Sequence, residues 1–131
     1  MYMYGKVRAG TASYKNVDIS SRIEGATPHQ LVQIMYEELL KAMDAMAFAT
    51  ARGDYVQRGQ RQSKALAILT GLETSLDFDK GGEVARTLGT FYYGLRGEIL
   101  NAATGLDPEP FRAAANSLED IAKAWNSLKA S

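Results

Sequence analysis

The 131-residue chain carries 15 Lys+Arg against 15 Asp+Glu, one His and no Cys, with a pI near 6.6. That length suits one domain with a real core. The composition excludes disulfides, thiolate metal sites and cysteine nucleophiles, and a cancelled charge argues against a phosphate-binding nucleic-acid surface. No apolar run approaches the ~20 residues of a membrane span, and the N-terminus shows no continuous apolar core of a signal peptide. The expectation is a soluble, cytoplasmic domain with no membrane insertion.

Ala and Leu outnumber Val and Ile, and this bias favours helix over strand. Residues 1–25 read as a distinct N-terminal arm or cap. It carries Gly5, Gly10 and Gly25, four basic residues (Lys6, Arg8, Lys15, Arg22) against Asp18 and Glu24, and scattered apolar positions including Tyr14. One short helical stretch is expected near 12–23. Residues 26–131 read as the main domain.

A strong helix start follows the arm. Thr27 can cap, Pro28 takes the first helical position and Gln30 completes a capping box. Val32, Met35, Tyr36, Leu39, Met43 and Met46 recur at helical spacing, widened by Leu31 and Ile34. Gly53 ends this helix and Asp54 caps the next. The second helix is expected to run to about Leu76, with Tyr55, Gln62, Leu66, Leu69, Leu72 and Leu76 on a broad face that Ala65 and Ile68 extend. Asp77 through Gly82 reads as a turn. A third helix from about Gly82 or Glu83 to Ala103 has the seam Val84, Leu88, Phe91, Leu95, Ile99, Ala102. Gly105 stops it, and Asp107-Pro108 restarts the chain. The last helix has the seam Phe111, Ala114, Leu118, Ile121, Trp125, Leu128, with coiled-coil-like steps. The expected fold is all-α: an antiparallel four-helix bundle with an N-terminal arm carrying a short extra helix.

Catalytic patterns are weak. His29 has no Glu three residues before it and reads as a polar first-turn residue rather than a metal ligand. No phosphate loop or nucleophile elbow occurs. Glu37-Glu38 and Glu119-Asp120 are helix neighbours that diverge around the axis, so they make poor acid–base pairs. No catalytic residue, metal site, cofactor or small-molecule substrate is assigned.

Two features depart from a plain core pattern. On the third helix, Gly89, Tyr93 and Gly97 lie at i, i+4, i+8, opposite the expected seam, with Arg86 and Leu100 on the same back face. Glycine costs ~1 kcal/mol against Ala inside a helix, so either a neighbouring element packs closely there or a partner segment docks in a shallow groove. The arm could cover such a groove until a partner displaces it. The second feature is the Ala65, Ile68, Leu72 edge of helix two. Core is its default reading, but it could reach the surface and extend a binding face. The expected partner-binding set is therefore Ile68, Leu72, Gly89, Tyr93, Gly97 and Leu100.

The ordered set of motifs resembles the flagellin export chaperone family, FliS. Ala26-Thr27-Pro28-His29-Gln30-Leu31 resembles the family's helix entry, and Gly53-Asp54 its first interhelical turn. Ser63-Lys64-Ala65 matches a family tripeptide, the stretch from Leu76-Asp77 through Gly81-Gly82-Glu83-Val84-Ala85 resembles L-D-x-x-x-G-G-E-[IV]-A, and Ala124-Trp125 resembles the closing A-W. The chain departs from the family where Tyr36-Glu37-Glu38 replaces Y-D-[GA], and where helix three has a single Arg96 instead of an Arg-Arg pair and lacks the later Asn. The resemblance implies a non-enzymatic cytoplasmic chaperone. It would bind the disordered C-terminal segment of flagellin, prevent premature polymerisation and assist delivery to the flagellar type III export gate. It also implies that Tyr14 belongs to a regulatory arm lying over part of the binding surface. The rival expectation is a structural bundle subunit that self-associates through the same faces.

Overall fold

The computed structural model describes residues 21–128. Residues 21–24 are helical and lead into four long helices: α1 (Pro28–Arg52), α2 (Tyr55–Thr74), α3 (Phe78–Ala102) and α4 (Glu109–Ser127). The expected helix near 12–23 and Tyr14 fall mostly or wholly outside the described residues. The arm's end is tied to the bundle by an ion pair between Arg22 and Glu37 at 2.9 Å.

Local chemistry sets each boundary. Thr27 Oγ1 accepts from the Gln30 backbone N–H at 3.1 Å, and Gln30 Oε1 accepts from the Thr27 N–H at 3.0 Å, completing the expected capping box. Gly53 closes α1 in the left-handed region at φ 74°, where a side chain would be strained. The Asp54 N–H then reaches back to the Ala49 carbonyl at 2.8 Å. Asp54 caps α2 through the Gln57 N–H at 3.1 Å. Asp77 caps α3, accepting from the Asp79 and Lys80 N–H groups. Asp107 accepts from the Glu109 N–H at 2.9 Å, while Pro108 takes the cap position itself.

The start of α3 refines the expected turn. Phe78–Gly81 form a helical turn, the chain breaks at Gly82 with φ 51° and ψ −123°, and the main helix follows. That conformation suits glycine.

Short connections reverse the chain at each step, so successive helices run antiparallel. Helix α1 packs closely against α2 and α4, and α3 closes the ring with sparser contacts to the same two neighbours. The core joins Leu39, Met43 and Met46 of α1, Leu69 and Leu72 of α2, Leu95 and Ile99 of α3, and Phe111 and Leu118 of α4. Tyr36 of α1 and Tyr92 of α3 meet across the diagonal, hydroxyl to hydroxyl at 2.6 Å. This pairing satisfies two phenols that burial would otherwise strand.

Three seams differ from expectation. On α3, Ala85 and Tyr92 are buried with Leu95, Ile99 and Ala102, whereas Leu88 and Phe91 are only partly buried and Val84 is 56% exposed. The buried stripe is rotated towards α2 because Tyr36 offers Tyr92 a hydrogen-bond partner, and periodicity cannot register a pairing 56 residues apart. On α4, Ala115 and Ala122 join the buried stripe, while Trp125 is partly buried and Leu128 exposed. Small alanines let α4 approach α1 closely. On α2, Tyr55 at the expected face is exposed and lies under the Arg58 guanidinium, 4.8 Å from ring centroid to Cζ.

A candidate partner-binding face on α3

Four of the six sequence-selected positions share the outer side of α3. Tyr93 is 78% exposed and Leu100 44%. Gly97 lies between them on the same face, and Gly89 begins the row one turn before Tyr93. The two glycines have different surroundings. A Cβ on Gly89 would meet Leu76 Cδ1 at 3.4 Å and the Phe78 ring at 3.7 Å, ordinary contact distances beside the α2–α3 turn. A Cβ on Gly97 would meet nothing within 4 Å among the described residues. Packing therefore demands glycine at neither position, and Gly97 has no neighbour at all there among the described residues. Leu76, Phe78, Gly89 and Tyr93 together line a shallow trough of about 530 Å³, with Glu73, Arg86 and Thr90 at its rim.

The other two positions lie elsewhere. Leu72 is 0% exposed and belongs to the core, as does Ala65. Ile68 is half-buried against the core. The rows of α2 explain this. Lys64 reaches Glu38 of α1 at 3.4 Å, and Gly71 lies against Met35 of α1, so Ile68, one turn from each, is on the α1 side. Thr70 and Glu73 are on the α3 side, where both accept from Arg96. The Ala65, Ile68, Leu72 edge thus fills the α1–α2 seam and does not extend the α3 face. A broad apolar stripe looks the same in sequence whichever neighbour covers it.

The fold also exposes a second apolar surface that the sequence pattern conceals. Val84 and Leu88 of α3, with Ile121, Ala124, Trp125 and Leu128 of α4, line a groove of about 290 Å³ that is almost wholly apolar. In sequence most of these residues read as core seam, and only the rotation of α3 and the sparse α3–α4 packing open them to solvent. Trp125 is held rigidly at this groove. Its indole N–H donates to the His29 carbonyl at 2.9 Å, His29 Nε2 donates to the Trp125 carbonyl at 2.9 Å, and the two rings stack with centroids 4.8 Å apart. The lone His therefore fastens the start of α1 to the end of α4.

The ionisable groups are structural in character. Burial raises the Tyr36 phenol above its ordinary value, partly offset by the bond with Tyr92, and raises Tyr92 well above it, where the bond with Tyr36 adds to the rise. Burial works against the Glu38 carboxylate too, but Lys41 and Lys64 outweigh it and hold that group below its usual value. Among the described residues no three acidic or His side chains converge as a metal site, and no helix is long and apolar enough to cross a membrane. What the α3 face offers is a convex apolar row, a low spot at Gly97 and a charged rim. These suit an apolar stripe of another polypeptide segment.

Comparison with known proteins gives one consistent family. Residues 10–131 match the family model described as flagellar protein FliS. The chain is 31% identical over 121 residues to the flagellar secretion chaperone FliS of Salmonella typhimurium, covering 92% of this chain and 90% of the relative. It is 26% identical over 122 residues to that of Vibrio cholerae, covering 93% and 90%. It is also 26% identical over 115 residues to the flagellar secretion chaperone FliSB of Pseudomonas aeruginosa, covering 88% and 91%.

Proposed function

The chain belongs to the FliS family, and from that premise we propose that it is a flagellar export chaperone whose client is the C-terminal segment of flagellin. The observation that carries the reading is the outer row of α3, where Tyr93 and Leu100 are exposed and a Cβ on Gly97 would meet nothing within 4 Å among the described residues. Flagellin's terminal helices are amphipathic and pair in the filament. A free subunit exposes those apolar faces and can assemble early. Binding along α3 covers them in the cytosol, and the complex is then delivered to the export gate.

The work is done by binding, with no bond made or broken. A disordered segment gains contacts as it orders, and the ordering cost limits the net affinity, which suits a client that must later be released. Gly89, Tyr93, Gly97 and Leu100 make the contacts on this reading, and Tyr14 in the arm regulates access.

Calorimetric titration with flagellin, and with flagellin lacking its C-terminal helix, tests the proposal. Binding of the first and not the second is expected. No binding of either, or equal binding of both, overturns it. Self-association that the client leaves unchanged would instead make the bundle a structural subunit. Tyr93→Asp should weaken client binding by about tenfold or more, through loss of an aromatic anchor and burial of a charge, while helicity and melting stay near wild type.

A further inference from the structure

The rim of the α3 face contains a cation with unused hydrogen-bonding capacity. Arg96 lies three residues after Tyr93 and four before Leu100, so it borders both on the side towards α2. Its side chain is 26% exposed. A single nitrogen, Nη2, makes both of its bonds, to Thr70 Oγ1 at 3.0 Å and to Glu73 Oε1 at 2.6 Å. Nε and Nη1 have no acceptor among the described residues. The guanidinium is thus fixed by α2 at one nitrogen and retains free donors at the others.

We propose that Arg96 is the polar anchor of the face and binds a carboxylate of the client, an Asp or Glu within about one helical turn of the apolar side chain seated over Gly97. The inference rests on the client-binding reading above. An apolar row alone accepts a segment in many registers, since sliding exchanges one apolar contact for another. A prepositioned charged donor beside the row fixes register and direction. Covering the face also removes water from Arg96, and its free donors then need an acceptor from the client, because a desolvated unpaired donor is costly. Glu73 shares the charge of Arg96 and keeps the side chain extended across the α2–α3 seam, so less ordering is needed when the client arrives.

The experiment compares Arg96→Gln and Glu73→Gln with wild type against the flagellin C-terminal segment, scanning each Asp and Glu of that segment to its amide. Arg96→Gln should weaken binding about tenfold, the value of one charge-assisted hydrogen bond. One amide change in the segment should weaken binding to wild type by a similar factor, and should add little once Arg96 is replaced. Glu73→Gln separates anchoring from bracing. The amide oxygen of that variant can still accept from Nη2 but no longer competes for the charge, so binding should be equal or tighter. If the pair only braces α3 against α2, Glu73→Ala, which removes the acceptor altogether, should weaken binding as much as Arg96→Gln, and that result overturns the proposal. So does equal affinity for Arg96→Gln and wild type, or a scan in which no carboxylate couples to Arg96. Should Arg96→Gln fail to fold, the amide scan against wild type and Glu73→Gln decides alone. A wild-type chain that binds no segment at all refutes the client reading itself, a result distinguishable from failure of the anchor.

Discussion

Helices α1 and α3 have equal length and lie on opposite corners of the bundle, yet they are used differently. Helix α1 is clasped by α2 and α4, with Tyr36, Leu39, Met43 and Met46 all buried. Helix α3 contacts the same neighbours more sparsely and keeps Val84, Tyr93 and Leu100 in water. A bundle stabilised mainly through α1 can leave one helix partly uncovered and still fold. On the proposed function, most of the folding free energy and the capacity to bind lie on different helices, and substitutions should separate them.

The largest separation should come from paired truncations. Leu39→Ala empties a fully buried site and should cost about 2–5 kcal/mol by chemical denaturation. Leu100→Ala should cost no more than about 1 kcal/mol, because nearly half of the side chain is already in water, yet it should weaken client binding. A large loss of stability at Leu100 would show that α3 is as deeply integrated as α1.

The two helices communicate through Tyr36 and Tyr92, which gives a prediction of intermediate size. Tyr92→Phe leaves the buried Tyr36 hydroxyl without its partner and should cost about 1–3 kcal/mol. Tyr36→Phe together with Tyr92→Phe removes both polar groups and should cost less than the sum of the singles. The pH dependence has a definite sign. Both folded-state phenols titrate above their unfolded values, so their contribution is complete below the ordinary phenol pKa of about 10 and is lost as pH rises beyond it. Thermal melts from about pH 8 to about pH 11, a span that brackets that ordinary value, should fall more steeply for wild type than for the double variant.

These contrasts also indicate what the sequence can convey. The ends of α1 and the start of α2 are legible because they rest on neighbouring residues, Thr27 with Gln30 and Gly53 with Asp54, whereas the start of α3 is not: Asp77 caps a helical turn at Phe78–Gly81 in a stretch that reads as a loop because of its two glycines. The outer row of α3 was legible, since Gly89, Tyr93, Gly97 and Leu100 share one helical period. What periodicity could not supply was the neighbour. Ile68 and Leu72 looked like part of a binding edge, but they pack in the α1–α2 seam, a fact carried by Met35 and Glu38 far away in the chain. Likewise Phe91 looked like core and Tyr92 did not, because the hydroxyl that makes Tyr92 acceptable inside belongs to α1. The Val84–Trp125 groove was hidden for the converse reason: a seam residue reads as buried even where the facing helix stands off.

The smallest predicted effect tests the contrast at a single atom. Gly71 and Gly97 are both helical, but a Cβ on Gly71 would come within 2.8 Å of Met35 Cε on α1, whereas a Cβ on Gly97 enters open space. Gly97→Ala should therefore raise stability by up to about 1 kcal/mol, the propensity gain of alanine in an unobstructed helix. Gly71→Ala should gain less or lose, since the flexible Met35 must move aside. Stability does not explain a glycine at 97, and on the proposed function its use lies in the client segment that approaches it. The added methyl fills the low spot between Tyr93 and Leu100 and should weaken client binding even as the melting temperature rises. A stabilised Gly97→Ala that binds the segment as tightly as wild type would remove Gly97 from the interface and leave its presence in α3 unexplained.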